Sequence, residues 1–116
     1  MRALPLWLCI AAVVAGCGED KEGDRLADGR DVYVRECSRC HMIDGSGVEG
    51  VYPNLAGNPI VTLESPEPTI GIVLQGREAM PAFSGSIGAH QIADVISYIR
   101  HAWGNDASPV TPAQAK

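Results

Sequence analysis

Cys37-Ser38-Arg39-Cys40-His41, two thiols spaced by two residues with an imidazole directly after the second, constrains this chain more than any other feature. The spacing lets two sulfurs reach one edge of a flat partner while the histidine turns in beneath it. That is the attachment chemistry of one covalently bound haem c: the thiols add across two vinyl groups and the histidine takes the iron. Two other chemistries use the same residue types. A structural zinc needs four ligands, and the domain around this motif has no further cysteine and only the remote His90 and His101. A thiol-disulfide pair would sit in a βαβ unit, and no such alternation is readable here. Cys37 and Cys40 are therefore expected as thioethers.

The first residues differ in kind from the rest. Arg2 is followed by an apolar run from Leu4 to Ala15, too short to span a bilayer but of the length of a secretory h-region. Residues 1–16 read as a signal peptide, and Cys9 is discarded with it. The run ends in Val14-Ala15-Gly16-Cys17, which resembles the lipobox of bacterial lipoproteins, where the cysteine is acylated and becomes the mature N-terminus. The alternative is ordinary cleavage nearby that leaves Cys17 an incidental thiol, a liability in an oxidising compartment. Acylation of Cys17 is the expectation, placing the protein on the periplasmic side of a bacterial membrane, anchored by lipid or otherwise soluble there.

Without residues 1–16 the chain keeps eight Lys or Arg against fourteen Asp or Glu, a net charge near −6. An acidic surface excludes nucleic acid as a natural partner. Six of the acids lie between Glu19 and Asp31, so residues 17–25 read as a solvated tether. Only five aromatic residues remain beyond the signal segment (Tyr33, Tyr52, Phe83, Tyr98 and Trp103), a thin supply for a core of this size. A large, flat, mostly apolar cofactor would fill the deficit.

Residues 26–105 read as one all-α domain of three to four helices. Leu26, Gly29, Tyr33 and Cys37 follow the spacing of a single helix face, which turns Cys37 toward the interior. A Gly- and Pro-rich loop follows His41. A short helix is expected over 67–75, with Pro68 in its first turn and Gly76 to end it. Residues 77–86 form a second loop. Ile92, Val95, Ile96, Ile99 and Trp103 mark a final helix, stopped by Gly104. Residues 106–116 carry no apolar pattern and are expected to be disordered. No segment reads as a β-strand.

The sixth iron ligand must come from His90, His101, Met42, Met80 or a small molecule. His90 and His101 fall on the polar side of the final helix, and Met42 adjoins His41 on the wrong side of the haem plane. Met80 remains, held extended by Pro81 in a loop long enough to cross the distal face. It either ligates iron or packs against the haem as a flexible filler. A ligating histidine usually donates its free ring N–H to a backbone carbonyl. The loop carrying Pro53 is the natural source, with Pro53, Leu55 or a neighbour as the acceptor.

On these residues, 26–105 resembles the class I monohaem cytochrome c family, in particular its small bacterial members with a short distal loop. Gly29 and Tyr33 are similar to the family's pair on the N-terminal helix, and Val95 and Tyr98 to their counterparts on the C-terminal helix that crosses it beside the haem. Pro53-Asn54-Leu55 is similar to the loop under the proximal histidine, and Gly76 to Phe83 to the distal methionine loop. Gly88 departs from the pattern, standing where relatives often carry a better capping residue. The resemblance implies a cytochrome c fold, haem c with iron held by His41 and Met80, and Pro53 as the carbonyl behind His41. It also implies electron transfer without catalysis or a small-molecule substrate. The chain would serve redox partner proteins (a dehydrogenase, oxidase or respiratory complex), either as a free carrier or as the haem c subunit of a periplasmic dehydrogenase or oxidase complex.

Overall fold

The computed structural model describes residues 21–116, with Ala3 besides. The signal segment over 1–16 and Cys17 lie outside the described residues. Four helices follow in order: α1 (Lys21–Glu36), α2 (Ser38–His41), α3 (Glu67–Gln75) and α4 (Ala89–His101). Among the described residues there are no strands, only isolated bridges at Val48–Tyr52 and Arg77–Met80.

Helix α1 begins five residues before the apolar pattern does. Its first turn carries Glu22 and Asp24, which suit the positive end of the helix dipole. Arg25, expected in a solvated tether, instead reaches α4 and the C-terminal tail. Its Nε donates to Asp94 Oδ1 at 3.0 Å and its Nη2 to the Val110 carbonyl at 2.7 Å. The charge that reads as solubility in sequence is a packing contact in the fold.

The crossing of α1 over α4 is the main helix–helix interface. It closes at Gly29, where an added Cβ would overlap the Asp94 carbonyl and stand 2.9 Å from Tyr98 Cβ. Only glycine lets the two backbones meet there. Tyr33, one turn on, is fully buried. Its ring lies 5.6 Å from that of Tyr98 and 5.0 Å from that of Trp103, and Tyr98 and Trp103 are 5.6 Å apart and edge-on. Such tilted contacts suit the ring quadrupoles. The Tyr33 hydroxyl donates to the Met42 carbonyl at 2.5 Å, tying the crossing to the turn after His41.

Helix α3 runs from Glu67 to Gln75, with Pro68 in its first turn and Gly76 following at φ 75°. Helix α4 starts after Gly88, whose extended backbone carries an N–H that donates to Gln91 Oε1 at 3.1 Å. Glutamine thus satisfies the N–H of the capping residue, while glycine, having no side chain, offers no acceptor to the first turn. The helix ends at His101, before Trp103, which lies at φ 55° outside it. The spacing of Trp103 suggests a helix continuing through it, but the ring reaches Tyr33 and Tyr98 from a left-handed turn.

Residues 106–116 correct the expectation of a disordered tail. Val110 is fully buried, and Ser97 Oγ accepts from the Val110 N–H at 2.8 Å and lies 3.2 Å from its carbonyl. The Ala107 N–H donates to the Arg100 carbonyl at 3.0 Å. The segment lacks an apolar period because it packs as a strap through Val110, Ala115 and its backbone, not as a helix face.

Candidate cofactor site

A cavity of about 400 Å3 opens between the loop after α2, helix α3 and helix α4. Cys37, Cys40 and His41 border it on one side. Leu55, Ile60 and Val61 come from the long loop, Ile72 and Val73 from α3, Met80 and Phe83 from the second loop, and Val95 and Ile99 from α4. The walls are mostly apolar, with polar groups at the cysteines and the histidine and also at Asn58, Thr69, Arg77 and Glu78, the pattern of a site for a large apolar ligand held at a few points.

The three motif residues are brought together by backbone bonds across the α1–α2 junction. Cys37 N–H donates to the Tyr33 carbonyl at 2.9 Å, and the Cys37 carbonyl accepts from Cys40 at 3.2 Å and His41 at 3.0 Å. The turn sets Cys37, Cys40 and His41 on one edge of the cavity. Both cysteines are unpaired thiols and half-buried. Burial, with smaller contributions from Glu36 and Cys40, pushes the Cys37 thiol up to about 12.

His41 Nδ1 lies 2.9 Å from the Pro53 carbonyl. A carbonyl only accepts, so Nδ1 carries the hydrogen and donates it, leaving Nε2 with its lone pair for a metal. Pro53 is placed for this by its loop. The Gly45 carbonyl accepts from Leu55 at 2.7 Å and from Ala56 at 3.2 Å, folding residues 45–56 back under His41.

Met80 is half-buried at the cavity wall. A tight turn holds its backbone: Arg77 N–H donates to the Met80 carbonyl at 3.1 Å, and Met80 N–H returns a bond to Arg77 at 2.9 Å. The turn is costly to form, because Glu78 takes φ 51°. Gly76, also at positive φ, leaves room for the Met80 carbonyl; a Cβ there would stand 2.6 Å from it. Phe83 N–H donates to the Val73 carbonyl at 3.0 Å, pinning the loop to α3. Met42 is outside the cavity lining, and His90 and His101 are exposed on α4.

Two asparagines organise the site without any signal in the motif. Asn105 is buried; its Nδ2 donates to the carbonyls of Leu55 at 3.1 Å and Ile99 at 2.8 Å, while its Oδ1 accepts from Gly57 N–H at 2.8 Å. It joins the loop under His41 to the end of α4. Asn58 does the same inside the loop, its Oδ1 accepting from Ile60 at 2.9 Å and its carbonyl from Thr62. Neither is distinguishable in sequence from the many asparagines that merely favour turns.

Residues 24–99 match the family model described as cytochrome C oxidase, cbb3-type, subunit III. The chain belongs to the cytochrome c family. It is 34% identical to the cytochrome c6 of Parathermosynechococcus lividus over 76 residues, covering 64% of this chain and 86% of that protein. Its fold is similar to that of the cytochrome c6 of the diatom Phaeodactylum tricornutum, with a TM-score of 0.56 at 24% identity, covering 67% of this chain and 93% of that one. It is 43% identical over 90 residues to the cytochrome c subunit of a quinone alcohol dehydrogenase from Gluconacetobacter polyoxogenes, covering 68% of this chain but only 19% of that subunit. The cytochrome thus spans about a fifth of the length of the alcohol dehydrogenase subunit it matches.

The cytochrome is a small class I monohaem cytochrome c with an all-α fold, and its cofactor is one covalently bound haem c. The residues of this chain fit that group. Two thiols and an imidazole with a fixed tautomer lie on one edge of an apolar cavity, in a domain whose own side chains leave that volume unfilled. When bound, the haem supplies a one-electron couple at iron.

Proposed function

We propose that this cytochrome is a one-electron carrier on the periplasmic side of a bacterial membrane, with His41 and Met80 as the axial iron ligands and Cys37 and Cys40 as the thioether residues. A diacylglycerol-type anchor on Cys17 ties it to the membrane. The observation that carries the reading is the shared cavity, bordered by His41 and, from a separately anchored loop, by Met80. Pro53 acts behind His41: its carbonyl fixes the ring and raises the basicity of the ligating nitrogen. Methionine ligation raises the reduction potential relative to a second histidine, so the midpoint is expected to be positive. With both axial positions filled from the chain, the iron has no reason to bind substrates. The ferrous protein as purified is expected not to bind carbon monoxide, and rapid binding would point instead to an open, enzyme-like or gas-sensing site.

A second reading has a specific observation behind it, the 43% identity to a dehydrogenase cytochrome subunit. In that reading the cytochrome accepts electrons within a complex whose larger partner does the catalysis. Detergent extraction of the native protein separates the two. A carrier runs alone, whereas a subunit copurifies with a dehydrogenase or oxidase in fixed ratio. Intact mass of the same sample reports the haem and any acyl groups on Cys17; a chain starting elsewhere than Cys17, or starting there unacylated, would remove the anchor from this proposal.

A further inference from the structure

The most unusual side chain in the molecule is one the electron-transfer reading does not use. Arg100, near the end of α4, is fully buried. Its five N–H groups are all taken by oxygens. Nε donates to the Ser108 carbonyl at 2.8 Å. Nη1 donates to the carbonyls of Val61 at 2.9 Å and Leu63 at 2.8 Å. Nη2 donates to the Glu64 carbonyl at 3.4 Å and to Ser108 Oγ at 3.1 Å. Every acceptor is neutral: Glu64 contributes its backbone, not its carboxylate. The ion pairs Arg25–Asp94 and Arg35–Glu36 are elsewhere, and among the described residues no carboxylate pairs with Arg100. Burial lowers the guanidinium's pKa, yet an arginine stays charged under all ordinary conditions.

A buried cation normally has an anion beside it, because desolvating a charge is expensive. This one is satisfied by hydrogen bonds alone, so its field is not cancelled by a fixed carboxylate. Its position matters for the haem. Ile99, the preceding residue, and Val61, whose carbonyl it holds, both line the cofactor cavity. The charge is therefore stationed immediately behind the cavity wall, in a region where fields are weakly screened.

We propose that Arg100 is a fixed cation that raises the reduction potential of the haem iron, while positioning the 61–64 loop and the tail against the cavity. Reduction adds one electron, delivered by the redox partner, to the iron centre. A permanent positive charge nearby favours the state that has gained it. The effect requires the haem in the cavity but does not depend on which group is the sixth ligand.

Equilibrium redox titration of the purified holoprotein tests this, with haem content and visible spectrum as the check that each variant is intact. Arg100→Met is expected to lower the equilibrium constant for reduction about tenfold, a fall of ~59 mV for one electron. Arg100→Lys keeps the charge while losing most of the carbonyl bonds, and is expected to remain within about threefold of the wild type. Should Arg100→Met fail to fold, Ser108→Asp carries the test, because it sets a carboxylate beside an intact guanidinium and is expected to lower the potential in the same direction. Ser108→Ala, which removes the hydroxyl contact without adding charge, is expected to leave the potential unchanged. If Ser108→Asp titrates with the wild type, or if Lys, Met and Ala variants all shift together, the charge has no role and Arg100 is a structural staple alone.

Discussion

At the scale of single residues, Tyr33 shows how one hydroxyl ties the fold to the site. Its ring is buried in the α1–α4 crossing, and its hydroxyl meets the carbonyl of Met42, the residue after His41. Burial raises its pKa well above the usual phenol range, with smaller contributions from Cys37, Tyr98 and Asp44, so it remains a donor at all working pH values. Tyr33→Phe keeps the packing and leaves the Met42 carbonyl without its partner. The expected cost is about 1–2 kcal/mol of stability in denaturant titration, with haem content unchanged. A neutral result would mean that water replaces the hydroxyl. The same local reasoning explains why the cavity-lining cysteines were legible from spacing while Asn105 and Arg100 were not. A motif encodes contacts within five residues, whereas Asn105 meets Leu55 and Arg100 meets Val61 across the chain.

At the scale of elements, the helices followed from periodicity where one face meets a core, and departed from it where a contact lies off that face. The apolar spacing of α4 and the Pro and Gly signals of α3 were sufficient to locate both. The start of α1 was hidden because four of residues 21–25 are charged, the other being Gly23, and Arg25 packs through its guanidinium. Trp103 satisfied the helical spacing but left the helix, since a left-handed turn brings its ring to Tyr33. The crossing itself depends on Gly29. Gly29→Ala forces a methyl onto the Asp94 carbonyl and is expected to destabilise the holoprotein by about 3 kcal/mol, at the upper end of overpacking costs. Gly71 in α3 is the matched control. Nothing approaches a Cβ built there, so Gly71→Ala should stabilise by about 0.5–1 kcal/mol through helix propensity. Equal effects at the two positions would show that the helices do not meet at Gly29.

At the scale of the whole molecule, the tail is part of the domain. It buries Val110, bonds Ser97 and Arg25, and supplies two of the five acceptors around Arg100. Ending the chain after Asp106 removes all of these and is expected to cost about 2–4 kcal/mol, lowering Tm by ~10–20 °C in a thermal melt followed at the haem absorbance. An unchanged melt would return residues 107–116 to the disordered tail that their composition suggests. The proposed carrier depends on the iron's second axial ligand. The ferric protein should show the weak long-wavelength absorption band of sulfur-to-iron charge transfer, and Met80→Ala should abolish it while keeping the haem covalently attached. Absence of the band from the intact wild-type protein would contradict ligation by Met80, and with it the carrier proposed here.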